Sequence, residues 1–260
     1  MRWNRQASIA SLLVVCVRVA GCAVAPTALP ESNGPLPTID DVRVCVVIDP
    51  RSSALWAGSA VPIGGNVFVT NLHVFPPPAT SMQLDGQTVA IEMISSGGLW
   101  RQVNTDGSIA RGDDWTDVLR DWQKFRALEG TFEPPPRSQI DFERKVRIGE
   151  TIYLFGFAGD ASKLDRESVK HLKPTILKGR AVQAPKQWDE RIIAVQTEVP
   201  ADHDHFGGMS GGAAVVHDDE RDCWVIVGVN RGSVEFRVRF GLWEWSEGSV
   251  VQVVRPPSNP

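Results

Sequence analysis

The sequence predicts an all-β fold, a sandwich or a barrel, and three observations predict it. Short apolar runs rich in β-branched and aromatic residues recur along most of the chain. Turn signals separate them, supplied by 23 glycines and 18 prolines that follow no fixed period. The length, 260 residues, is one that an all-β body can largely fill. Hydrophobic residues at 42% and charged residues at 22% are ordinary for a globular chain. That balance excludes a mainly disordered protein and a polytopic membrane protein, and the aperiodic glycine excludes collagen.

The N-terminus reads as an address. Met1–Gln6 carries Arg2 and Arg5, Ala7–Val17 is apolar, and Val19-Ala20-Gly21 is small and apolar before Cys22. A positive start, a short apolar core and a small-residue site describe a secretory signal over residues 1–21. The apolar run is too short to span a bilayer. Val-Ala-Gly-Cys resembles a bacterial lipobox, which implies a lipid on Cys22 and possible membrane attachment. A cut after Ala25 and an uncleaved anchor are the alternatives. The expected location is the cell envelope, lipid-anchored or periplasmic, or the medium. Residues 22–41, with Pro26, Pro30, Pro35 and Pro37, read as a tether.

The body, residues 42–255, supplies the strands. Val42–Ile48, Val67–Thr70, Thr88–Ile94, Thr151–Phe157, Ile192–Val199, Trp224–Val229, Val234–Phe240 and Val250–Val254 fit the strand pattern. Val234–Phe240 alternates apolar and polar strictly. Trp115–Leu128 disagrees, because Trp115, Val118, Leu119, Trp122, Phe125 and Leu128 fall at helical spacing. Asp113 or Asp114 could cap such a helix and Gly130 could end it, but a strand and loop also fit.

Charge narrows the partners. The chain carries a net charge of −4, and residues 1–21 hold three arginines and no acid, so the rest carries −7. An acidic body without a basic stripe argues against nucleic acid. Cys45 and Cys223 are the two cysteines of the body; an exported protein permits their disulfide, and two separate buried thiols fit as well. Asp202-His203-Asp204-His205 carries metal-ligand types, but neighbours on an extended chain point apart, so a solvated loop is the preferred reading and no metal site is expected.

Two motifs carry chemistry. Val69-Thr70-Asn71-Leu72-His73-Val74 ends an apolar strand with an imidazole. Phe206-Gly207-Gly208-Met209-Ser210-Gly211-Gly212-Ala213 surrounds a serine with glycines. A serine hydroxyl becomes a nucleophile when an imidazole takes its proton, and glycine-flanked amides can face a developing oxyanion. Gly-x-Ser-x-Gly also fits the elbow of α/β-hydrolases. That fold needs its histidine well after the serine, and the later histidine, His217, is too near. His73 precedes Ser210 by 137 residues, which gives the order His, acid, Ser.

On these motifs the sequence resembles the trypsin/chymotrypsin-like serine proteases, nearest the bacterial secreted Htr/Deg-like branch without a PDZ domain. Arg147–Gly159 resembles the strand that precedes the second-barrel elements of that family, and Val225–Val229 with Asn230-Arg231-Gly232 resembles the strand edging its substrate cleft. The resemblance implies two packed six-stranded antiparallel β-barrels with the active site between them. It implies a catalytic His73, Asp114 and Ser210, an oxyanion hole from the amides of Gly208 and Ser210, and substrate contacts at Asn230, Arg231 and Gly232. Asp114-Trp115-Thr116 fits the family's acid best; Asp117 is the second choice, and Asp113 and Asp106 are outsiders. An N-cap is the competing role for Asp114. The implied activity is peptide-bond cleavage without a cofactor, on a polypeptide substrate. Met209 stands where zymogen-activated members carry Asp, which argues against activation by a freed N-terminus. The rival reading is a catalytically inactive protease-like module that binds peptide or envelope partners; an esterase is a third.

Overall fold

Val42-Arg-Val-Cys-Val-Val-Ile48 opens the body with side chains that suit a buried, extended backbone. The computed structural model describes residues 35–48, 57–74, 80–98, 115–130, 132, 138–158, 173–184, 186, 188–198, 206–240 and 243–258. Both the proposed signal and Asp202–His205 lie outside those residues.

The first barrel uses β1 (Cys45–Ile48), β2 (Ala57–Gly64), β3 (Val67–Thr70), β4 (Ser81–Leu84), β5 (Gln87–Ser96) and β6 (Gln123–Ala127). They close in the order β1-β2-β3-β6-β5-β4, every pair antiparallel. Asp85 and Gly86, both at positive φ (49° and 78°), make the two-residue turn between β4 and β5. That conformation matches strand twist and favours the Asp-Gly pair. Inside, Cys45, Val47, Phe68, Met82, Leu84 and Phe125 are buried, with Phe68 and Phe125 stacked at 5.2 Å.

The second barrel uses β8 (Thr151–Gly156), β9 (Thr175–Val182), β10 (Ile192–Thr197), β11 (Ala213–Asp218), β12 (Cys223–Phe240) and β13 (Trp243–Val254). Their order is β11-β8-β9-β10-β13-β12, and pairing of β11 with β12 closes the ring. A short strand, β7 (Ser138–Ile140), adds to β12 in parallel. The fold is therefore all-β with two six-stranded antiparallel barrels, plus one parallel strand outside the closed ring. The two predicted segments Trp224–Val229 and Val234–Phe240 are one continuous strand, β12. Its ladder with β13 is irregular twice, between Asn230 and Gly232 and between Val234 and Phe236.

An apolar layer joins the barrels. Val46, Val61 and Val69 from the first meet Tyr153, Phe155, Ala213 and Val215 from the second in one buried cluster. Each valine or phenylalanine among them contributes about 1.5–3 kcal/mol when fully removed from water. Polar ties cross the same seam. The Ser59 amide donates to the Ser210 carbonyl at 2.8 Å. Lys124 on β6 donates its ammonium to the Pro257 carbonyl at 2.7 Å, and burial pulls that ammonium below the usual lysine range.

The ambiguous stretch Trp115–Leu128 divides. Trp115–Arg120 forms a six-residue helix, α1, and Gln123–Ala127 is β6. Helical spacing ran across both because Trp122 and Phe125, buried in a rim turn and a strand, happen to continue the period of Val118. Cys45 and Cys223 are unpaired: one lies inside the first barrel and the other begins β12. Burial pushes the Cys45 thiol well above its ordinary value.

Candidate active site

Antiparallel pairing builds the histidine's end of the site. Thr70, the last residue of β3, faces Gln123, the first of β6. His73 follows β3 and Asp121 precedes β6, so both reach the same rim of the first barrel. The His73 Nδ1 and Asp121 Oδ2 are 2.7 Å apart, and the His73 backbone amide donates to Asp121 Oδ1 at 3.0 Å. A carboxylate on Nδ1 makes that nitrogen the donor and leaves Nε2 free to accept a proton. Asn71 adds a third tie, donating its side-chain amide to the Asp121 carbonyl at 2.8 Å. Asp121 is 3% exposed at its side chain and His73 25%, so the acid is sealed and the ring reaches solvent. Burial works to raise the Asp121 carboxyl, but His73 and Arg231 beside it outweigh burial and hold it below its ordinary value.

Backbone builds the serine's end. The Met209 amide donates to the Phe206 carbonyl, Gly211 to Asn230, and Gly212 to Met209, at 3.1, 2.7 and 3.0 Å. Gly208 and Gly211 both sit at φ 84°, which a Cβ would strain. A Cβ on Gly211 would also collide with the Ser59 carbonyl and Thr70 Oγ1. From the first barrel, Ser59 Oγ donates to the Gly208 carbonyl at 2.9 Å and accepts from the Phe157 amide at 3.0 Å. The loop thus folds against Ser59 and Thr70, with Met209 fully buried beneath it.

Arg231 connects the two ends. Asn230 pairs with Val253 and Gly232 with Gln252, which leaves Arg231 as an extra residue in β12. A bulge frees backbone groups from the ladder and re-aims a side chain. Here the freed Arg231 carbonyl accepts from Ser210 Oγ at 2.8 Å. The Arg231 side chain donates from Nε to Asp121 Oδ2 at 3.0 Å and from Nη1 to Gln252 Oε1 at 2.8 Å. The Ser210 hydroxyl therefore rests on a carbonyl, one residue's length from the acid that holds His73.

Asp121 occupies the carboxylate place on His73 that the resemblance gave to Asp114; Asp114, Asp113 and Asp106 lie outside the described residues, and the Asp117 side chain is not among those described. Asp121 escaped the sequence reading because the helical period ran through it. Its position directly before a strand, mirroring His73 directly after one, was the available signal. Asn230 is also not open to a ligand: it is fully buried, and its amide donates to the Phe155 carbonyl at 2.8 Å. A Cβ added at Gly232 would meet open space, and the Arg231 side chain is partly exposed. Sequence reading also missed Ser59 and Thr70. Among the described residues, no group of three or more His, Cys, Asp or Glu side chains could hold a metal ion.

Comparison with known protein families finds no match, and comparison with curated proteins finds none either. Among solved structures, the chain is similar to a serine endoprotease from Yersinia pestis at 17% identity and a TM-score of 0.47. That likeness covers 85% of this chain and 64% of the other, so the chain spans less than two thirds of that protein. It is also similar to the Rv3671c protease in its inactive form, at 12% identity and a TM-score of 0.45, over 81% of this chain and 82% of that one.

Proposed function

We propose that the protein is an exported serine endopeptidase of the trypsin/chymotrypsin type, acting on polypeptides at the cell envelope or outside it. One observation carries the reading: the buried Asp121 grips His73 through both the ring and the backbone, and Arg231 ties that pair to Ser210.

In this mechanism a bound peptide draws the Ser210 hydroxyl off the Arg231 carbonyl toward His73 Nε2. A side-chain rotation of this kind is fast beside any catalytic turnover. His73 takes the proton as Ser210 Oγ attacks the scissile carbonyl carbon. Asp121 holds the ring tautomer and offsets the positive charge that forms on it. The Gly208 and Ser210 amides receive the developing oxyanion. The C–N bond breaks, the imidazolium gives its proton to the leaving amine, and water then releases the acyl group. Apart from the peptide and that water, each step uses groups of the chain itself. Export follows from residues 1–21, with a lipid on Cys22 as the means of attachment.

A second reading, an inactive peptide-binding module, draws on the resting position of Ser210 Oγ, bonded to a carbonyl and not to the imidazole. A fluorophosphonate probe separates the two. The peptidase reading expects covalent labelling of Ser210, mapped by mass spectrometry and absent in Ser210→Ala. An unlabelled parent protein would leave the binding module as the surviving reading. Retention of a Cys22→Ala variant in the membrane fraction would refute lipid attachment through that residue.

A further inference from the structure

We propose that Arg231 is a positioning residue that supplies the permanent countercharge of Asp121 and thereby sets the pH at which the His73–Asp121 pair becomes competent. This rests on the peptidase reading for its kinetic meaning.

The argument starts from burial. A carboxylate with 3% of its side chain exposed has lost nearly all its hydration. Such an anion persists only when paired and hydrogen-bonded. His73 cannot be the permanent partner, because a general base must be neutral to take the Ser210 proton. Arg231 is always charged. Its Nε lies 3.0 Å from Asp121 Oδ2, the same oxygen that His73 Nδ1 meets at 2.7 Å.

The guanidinium is held there. Nη1 donates to Gln252 Oε1, and Gln252 on β13 is itself buried. The bulge at Arg231 gives the side chain its aim, since a regular ladder would pair this residue and commit its backbone. Asp121 is faced by His73 from the turn after β3 and by Arg231 from β12. The nearby cation of β6, Lys124, directs its ammonium to the Pro257 carbonyl.

Sharing one oxygen keeps the two nitrogens within about 6 Å, the range in which like charges shift a titration by about one pH unit or more. A fixed cation at that distance opposes protonation of the neighbouring ring. Removing the Arg231 charge is therefore expected to move the acid limb of Ser210 labelling upward. The same cation makes the imidazolium formed during acylation less favourable, so working range is gained against maximal rate.

The test compares the parent with Arg231→Lys and Arg231→Gln. Two readouts are taken between about pH 4 and 9. One is the rate of Ser210 labelling by a fluorophosphonate. The other is the NMR titration of the His73 ring, identified by its absence in His73→Gln. Arg231→Gln should move the acid limb and the NMR midpoint up by about one pH unit. Arg231→Lys should leave both within a few tenths of the parent. Gln252→Glu keeps Arg231 but neutralises it, and should move both upward by a smaller amount even if Arg231→Gln fails to fold. Unchanged midpoints in Arg231→Gln and Gln252→Glu overturn the proposal, as does an Arg231→Lys variant that shifts as far as Arg231→Gln. Failure of the parent to label would sink the peptidase reading alone, because the NMR titration still measures the effect of Arg231.

Discussion

The two ends of the site are made of different material. At His73 the geometry is written in side chains: a carboxylate, an imidazole, an amide from Asn71 and a guanidinium. At Ser210 it is written in backbone: a loop of glycines whose amides close on carbonyls, leaning on Ser59. Each end is therefore vulnerable in its own way. A side-chain constellation fails when a functional group is lost, while its scaffold survives. A backbone constellation fails when a group is added, because its glycines leave no room for a Cβ.

The sharpest way to use that contrast is to remove one group at each end. Ser210→Ala should lower peptidase turnover on the order of 10⁵-fold with an unchanged melting temperature, read by steady-state kinetics and circular dichroism. Equal turnover in parent and variant would refute the nucleophile. Asp121→Asn should follow at about 10⁴-fold, since its carbonyl oxygen stays with the His73 backbone amide and its Nδ2 then donates to the ring's Nδ1, which fixes the wrong tautomer. Asp114→Asn and Asp117→Asn should stay within about twofold, and a large loss in either would return the acid to the sequence-based candidates.

Asp121 also predicts a pH signature. Its folded-state carboxyl titrates below the unfolded one. Its ionisation therefore stabilises the fold above about pH 4, the ordinary carboxylate value, and that contribution is lost as pH falls through the depressed folded value. The stability gap between parent and Asp121→Asn, from urea titrations, should change below about pH 4 as the parent carboxylate is protonated. A gap that stayed constant from neutrality down to about pH 2 would contradict the assignment.

At the serine's end the expected losses are of structure. Gly211→Ala should cost on the order of 2–4 kcal/mol from positive φ and collision with Ser59 and Thr70. Ser59→Ala should cost about 1–3 kcal/mol by leaving the Gly208 carbonyl and Phe157 amide without their partner. It should also slow labelling of Ser210, although Ser59 belongs to the other barrel. Chemical denaturation measures both, and a Gly211→Ala protein as stable as the parent would refute a serine end that tolerates no added Cβ. The smallest effect concerns the thiols: with Cys45 and Cys223 unpaired, a reductant should leave the melting temperature unchanged, whereas a disulfide would cost about 2–5 kcal/mol on reduction.

How legible the molecule was follows the same division. His73 and Ser210 stood out because a polar reactive group beside glycines or after an apolar strand is a local pattern. Strands such as Val67–Thr70 and Ile192–Thr197 were equally local. Asp121 was hidden because its identity depends on which strand pairs with β3, a long-range fact that periodicity does not encode. Ser59 was hidden for a related reason: its role lies in contacts with Gly208 and Phe157, residues 149 and 98 positions away. Strand β2, with two glycines and a proline, carried too little β-branched character to be seen. Arg231 was expected to face a ligand because its segment resembles a cleft-edging strand, whereas at the bulge its side chain reaches Asp121 and Gln252.

That bulge has a partner. Beyond it, Val234 still pairs with Val250, but Phe236 pairs with Glu247, so β13 spends two residues where β12 spends one. The extra residue in β12 at Arg231 is matched by an extra residue in β13, and the outer ribbon returns to the register it had before the site. The two insertions behave as a compensated pair. Deleting Arg231 alone would leave the second insertion unmatched and shift the ribbon by one residue, turning its faces over. A viable deletion at one position would therefore require a deletion at the other, so length changes in these two strands should be inherited together.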